Sequence, residues 1–230
     1  MKSSSKLSSE ERRQAIIRAV RRVFADKGFH GTTTRELADA AGVSEALLFK
    51  HFPHKEALYS AMQMFCSMEQ DPEKLERIKG LEPSTSTLVL IVHMMIAKTV
   101  GRECQDDEDA MIHHRLMLRS LIEDGEFARL FFQKNLSCWM AKVEECLEAS
   151  TAAGEAIRGP LVPKLGALFA WNLARAIMFS RIPARPLVDY GVPRATLVEQ
   201  AVWFTLRGLG VTDKAIKRYY NPEGWTILAD

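Results

Sequence analysis

Thr34, Arg35, Glu45, Lys50, His51 and Lys55 all fall within residues 33–55, a stretch that reads TTRELADAAGVSEALLFKHFPHK. Cations, hydroxyls and one carboxylate at this density suit non-covalent recognition through charge and hydrogen bonds. They do not suit bond-making. The 230-residue chain carries no phosphate-binding loop, no nucleophile elbow, no H-E-x-x-H and no carboxylate pair with supporting residues, so an enzyme is the weakest reading.

The spacing around these residues dictates the elements that hold them. Thr33 is placed as an N-cap, with Glu36 three residues on to complete a capping box. Leu37, Ala38 and Ala41 then form a narrow apolar face. Gly42 stops that helix, because glycine takes the left-handed conformation without a Cβ clash, and Ser44 can cap the next. The second helix is predicted from about residue 44 to 52. Ala38, Gly42 and Leu48 supply a small contact residue, a turn glycine and a core leucine for two helices crossing steeply. This is helix-turn-helix spacing, which sets a helix into a DNA groove.

The runs FADKGFHGTT, TRELADAAGVS and LFKHFPHKEAL make residues 10–60 resemble the TetR family of transcriptional regulators. The resemblance implies DNA contacts at Thr34, Arg35, Glu45, Ala46, Leu47, Phe49, Lys50, His51 and Lys55. By residue type, Thr34, Arg35 and Lys55 suit phosphate, whereas Glu45 can accept from cytosine N4 and Lys50 can donate to guanine. Ala46 and Leu47 can pack on a thymine methyl, with internal packing the alternative for Leu47. His51 either contacts phosphate or caps the recognition helix. Phe49 stands where tyrosine is commoner and loses its phosphate-donating hydroxyl; His54 stands where a Ser, Asn or Asp cap is usual.

Composition agrees with a globular chain: 47% of residues are hydrophobic and the net charge is +2. Residues 1–60 hold eleven Lys and Arg against seven Asp and Glu, leaving twenty against twenty-two beyond. The surplus lies in the helix-turn-helix part. Cys66, Cys104, Cys138 and Cys146 are scattered without a C-x-x-C pair and read as free thiols. The polar start MKSSSKLSSEERR lacks a signal-peptide core, and the apolar runs near 88–97 and 165–174 are too short for a membrane span. A soluble cytoplasmic protein with no membrane association and no cofactor is expected.

Elsewhere the period is helical. Ser8 and Glu11 make a second capping box, after which Ile16, Ala19, Val20, Val23 and Phe24 line one face to Gly28. Arg12, Arg13, Arg18, Arg21 and Arg22 line the other, as a solvated face or an approach to the DNA backbone. Pro53 suits the first turn of a helix running through Leu58, Met62 and Phe65. Breaks at Asp71-Pro72, Leu81-Glu82-Pro83, 101–109, Asp124-Gly125, 154–160, 182–193 and 208–210 mark off further helices. The expected fold is all-α, with about nine or ten helices. A three-helix DNA-binding domain at 1–58 precedes a larger helical effector-binding and dimerisation domain at 59–230.

In that body, helices at about 160–181 and 193–209 carry apolar residues on two faces. Leu165, Leu168, Phe169, Asn172 and Ala176 on one, with Leu197, Ala201 and Phe204 on the other, are the candidate homodimer surface. Family resemblance, rather than spacing, implies a small-molecule pocket; its candidates are His93, Met94, His113, Met117, Phe131, Trp139, Trp171 and Arg175, with Met95, His114 and Phe132 nearby. His113 and His114 point to different helix faces. With Cys104, His93 and the acidic run 106–109 they outline a metal-responsive alternative, although no ligand pair has i, i+4 spacing. The expected function is a repressor whose dimer binds a palindromic operator and is released by an effector. An effector-blind DNA-binding protein is the other alternative.

Overall fold

The computed structural model describes residues 7–68, 72–100, 108–183 and 185–225. All the regular elements among these residues are helices, and no strand forms; an isolated antiparallel bridge joins Ala156 and Val211. Helices outnumber the nine or ten anticipated, because the breaks leave short helices between the long ones. By their contacts the residues sort into two compact units, Met1–Asp71 with Glu108–Lys134, and Pro72–Asp107 with Asn135–Asp230. This division differs from a boundary at residue 58.

The first unit is built on α1 (Ser9–Lys27), α2 (Thr34–Ala40), α3 (Glu45–His51) and α4 (Lys55–Met68). Both capping boxes form: Ser8 and Glu11 close α1, Thr33 and Glu36 close α2. Ile16, Ile17, Val20 and Phe24 of α1 are buried, as are Leu37, Leu48, Phe52 and Leu58. Helix α7 (Glu108–Ile122) and α8 (Glu126–Phe131) belong here too, packing on α1 and α4 respectively.

Helix α7 changes the reading of the arginine face of α1. Arg21 is 8% exposed and pairs with Asp109 at 2.7 Å; Arg22 meets Glu108 at 2.5 Å, and Arg115 reaches Asp26 at 2.6 Å. Arg13 and Arg18 pack on the head's aromatics, Arg13 over Phe52 at 4.3 Å and Arg18 over Phe65 at 5.3 Å. Arg21 is taken out of the solvated face, whereas Arg18 and Arg22 stay exposed. A helix pattern shows which side is charged but not which distant helix covers that side.

The second unit wraps around α6 (Thr85–Val100), which packs against α9 (Ser137–Ala152), α10 (Pro163–Phe179), α11 (Arg194–Gly208) and α12 (Asp213–Tyr219). Helix α5 (Pro72–Lys79) lies on α9, and α13 (Pro222–Trp225) follows α12. Leu88, Val89, Ile91, Val92, Ile96 and Val100 of α6 are buried and almost water-free, as an all-round apolar helix requires. Helices α8 and α9 are joined without a loop by a π-helical turn, Phe132–Leu136, whose Asn135 and Leu136 are buried.

Candidate nucleic-acid interface

The turn between α2 and α3 rests on Gly42, whose φ of 63° lies in the left-handed region. The Gly42 N–H donates to the Asp39 carbonyl, the Val43 N–H donates to that of Ala38, and Ser44 Oγ accepts from the Leu47 N–H. Helix α3 then turns Leu48 into the core and leaves Glu45, Ala46, Phe49 and Lys50 exposed, with Leu47 and His51 half-buried. Thr34, half-buried, and Arg35, exposed, stand in the first turn of α2. The gap lined by Thr34, Leu37, Leu48, Phe49, Phe52, His54, Lys55 and Leu58 has no room for a water molecule. The three helices therefore close on one another, and their outer face is the surface left open.

Hydrogen bonds on that face assign some side chains in advance. Thr34 Oγ1 donates to Glu45 Oε2 at 2.8 Å, joining the first turns of the two helices. Lys55 Nζ donates to the Thr32 carbonyl at 2.5 Å and lies 4.4 Å from the Phe29 ring centroid. An ammonium has three N–H donors, so this leaves two. Arg13, which the sequence placed only on the arginine face of α1, donates to the His51 carbonyl at 2.8 Å and closes the C-terminal end of α3. Thirty-eight residues separate that pair, and no local pattern announces it.

Helix α4 begins at Lys55, two residues later than Pro53 suggested. His54 is the reason. Its Nδ1 accepts from the Ala57 N–H at 3.1 Å, the bond an Asn or Asp cap would make, so the unusual cap works as a cap. Glu36 holds the entry to α2. A hydrogen bond from Lys27, then those from the Thr33 backbone and hydroxyl, bring its carboxyl down to about 2.

The effector candidates separate into two groups. In the first unit His113 stacks edge-on against Phe127 at 5.2 Å and Phe131 at 5.3 Å, while Met117 and Phe131 are buried. In the second, His93 lies 4.9 Å from Trp225 and 5.7 Å from Tyr220, its Nδ1 is buried without a hydrogen-bond partner, and burial lowers its pKa. Met94 is half-buried, and Trp139 and Trp171 pack against the core. Arg175 sits 5.8 Å from the Trp171 centroid and 5.1 Å from that of Phe179; its Nε is buried without an acceptor, and desolvation lowers its pKa. Among the described residues no carboxylate pairs with it.

Among the described residues no three His, Cys, Asp or Glu side chains gather as metal ligands. Glu108 and Asp109 of the acidic run pair with arginines instead, while Cys104, Asp106 and Asp107 lie outside the described residues. Cys66, Cys138 and Cys146 are free thiols. No helix among the described residues is long and apolar enough to cross a membrane.

Of the candidate dimer residues, Leu165, Phe169, Asn172, Ala176 and Phe204 are exposed, Phe169 at 57% and Phe204 at 69%. Ala201 is buried, and Leu168 and Leu197 pack partly against the chain's own core. Those three lie under the stripe rather than on it.

Residues 16–62 match the family model for bacterial regulatory proteins of the tetR family. That match spans 47 of the chain's 230 residues. The chain is 29% identical over 128 residues to the uncharacterized HTH-type transcriptional regulator YerO of Bacillus subtilis, an alignment covering 54% of the chain and 41% of YerO. It is 41% identical over 58 residues to the HTH-type transcriptional activator FasR of Mycolicibacterium smegmatis, covering 25% of the chain and 26% of FasR. The chain thus spans less than half the length of these curated relatives. Its fold is similar to that of FadR from Bacillus subtilis, solved in complex with stearoyl-CoA, with a TM-score of 0.58 over 85% of this chain and 98% of FadR at 18% identity.

Proposed function

We propose that the chain is a sequence-specific DNA-binding transcriptional regulator, a repressor that binds a palindromic operator as a homodimer and is released by a small molecule. One observation carries the DNA-binding reading: α3 buries Leu48 and leaves Glu45, Ala46, Phe49 and Lys50 outward beside exposed Arg35. That is the arrangement of a recognition helix flanked by a phosphate-binding cation. Arg35, with the two remaining donors of Lys55, serves phosphate; Glu45, Ala46, Leu47 and Lys50 face bases.

A single head buries little surface and binds weakly, which favours a pair reading two half-sites. The exposed stripe of Leu165, Phe169, Ala176 and Phe204 supports α10 and α11 as the contact between copies. Effector control has its support in Arg175, a half-buried cation without a carboxylate, which suits a ligand with an anionic group. The FadR structure, with its anionic stearoyl-CoA, supports the same class. A coupling of about 1–3 kcal/mol between sites would change occupancy from several-fold to about a hundredfold.

Selection of bound sequences from a random DNA pool is the test, and a palindrome is the expected yield. On that operator Arg35→Ala should weaken binding to all sequences alike and lower the salt slope by about one, while Glu45→Ala should alter preference at one base pair per half-site. Absence of any enriched sequence would refute the reading. Titration with acyl-CoA esters, read as tryptophan fluorescence and loss of operator binding, tests effector control.

A further inference from the structure

Resting on the DNA-binding reading, we infer that Thr34 is a positioning residue for base recognition, holding Glu45 toward an exocyclic amino group, rather than a phosphate ligand. The two side chains come from different helices, Thr34 from the first turn of α2 and Glu45 from the first turn of α3, and meet at 2.8 Å. A threonine hydroxyl has one proton to donate, and here it goes to Glu45 Oε2. A phosphate oxygen only accepts. Thr34 therefore cannot serve Glu45 and a DNA phosphate at once.

The neighbouring carboxylate follows a different course. Glu36 turns back on Thr33 and Lys27 and is consumed in closing α2. Glu45 caps nothing: the N-cap of α3 is Ser44, whose hydroxyl already takes the Leu47 N–H. A carboxylate brought toward the phosphate backbone is repelled by it, and a freely rotating glutamate would swing away. Fixing one oxygen on Thr34 keeps the other presented at the N-terminal end of the recognition helix, where the helix dipole also favours it. An acceptor-only group so placed selects a base bearing an amino donor in the major groove, cytosine through N4 or adenine through N6. A good contact of this kind gives roughly 5- to 150-fold discrimination.

The experiment compares pool selection and operator titration for the full-length chain and for Thr34→Val, Thr34→Ser, Glu45→Ala and the Thr34→Val/Glu45→Ala double variant. Thr34→Val should relax preference at the same base pair that Glu45→Ala relaxes. The double variant should lose no more than Glu45→Ala alone, and Thr34→Ser should restore the preference. Uniform weakening by Thr34→Val on every sequence would assign the hydroxyl to phosphate and overturn the inference. So would a Thr34→Val profile indistinguishable from the parent's. If the parent itself enriches no sequence, the DNA-binding reading fails first; if the parent enriches an operator and only the threonine results differ, this inference alone falls.

Discussion

At the scale of single residues, the recognition face is organised by how many donors and acceptors each side chain has left after folding. Arg13 holds the last turn of α3 by the His51 carbonyl, Lys55 holds the Thr32 carbonyl, and Glu36 is held by Lys27 and Thr33. Arg35 and Lys50 keep exposed side chains. Glu36 makes the arrangement measurable by pH. Its folded value of about 2 lies below the ordinary 4.5, so its contribution to stability is fully present above 4.5 and is lost as pH falls toward 2. The thermal midpoint of the parent should exceed that of Glu36→Gln at neutral pH, and the gap should close between pH 4.5 and 2. A gap constant across that range would mean the carboxylate charge is not what holds the cap.

At the scale of elements, what a local pattern can encode was readable in advance. Ser8 with Glu11, Thr33 with Glu36, Gly42 and Ser44 each bond within a few residues, and all four form as their spacing requires. Gly42 supplies a clean test, since a Cβ there would meet nothing within 4 Å and any penalty comes from its φ of 63°. Gly42→Ala should lower the urea midpoint by the equivalent of about 1–2 kcal/mol with an unchanged m-value, and Gly42→Asn by less. Equal stability of all three would remove the backbone argument. What sequence could not give was partnership over distance. Arg21 looked solvated because Asp109, 88 residues away, is invisible to any helical window. The bond from Thr34 to Glu45 was equally out of reach, because the two sit on either side of a turn. For His113, Met117 and Phe131 the composition is the same whether a side chain packs in a core or lines a cavity.

At the scale of the whole molecule, the exposed stripe on α10 and α11 is the feature with the largest predicted effect. Phe204→Lys, at a site 69% exposed, should leave the folded chain intact and shift its mass in light scattering from dimer to monomer. Operator affinity should then fall toward that of one half-site. A parent that is already monomeric, or a variant that remains dimeric, would dismiss this surface. The π-helical turn at Phe132–Leu136 bears on how such a chain tolerates change in length. A π turn closes one residue later than an α turn, so one residue removed there would leave ordinary α-helix and keep the helix after it in phase. Met140, Val143 and Cys146 would stay buried, whereas a residue removed from the α-helical turn at Ser137 would rotate them out of the core by about 100°. This stretch can therefore lose one residue without repacking the core that α9 enters, which the α-helical turns after it cannot.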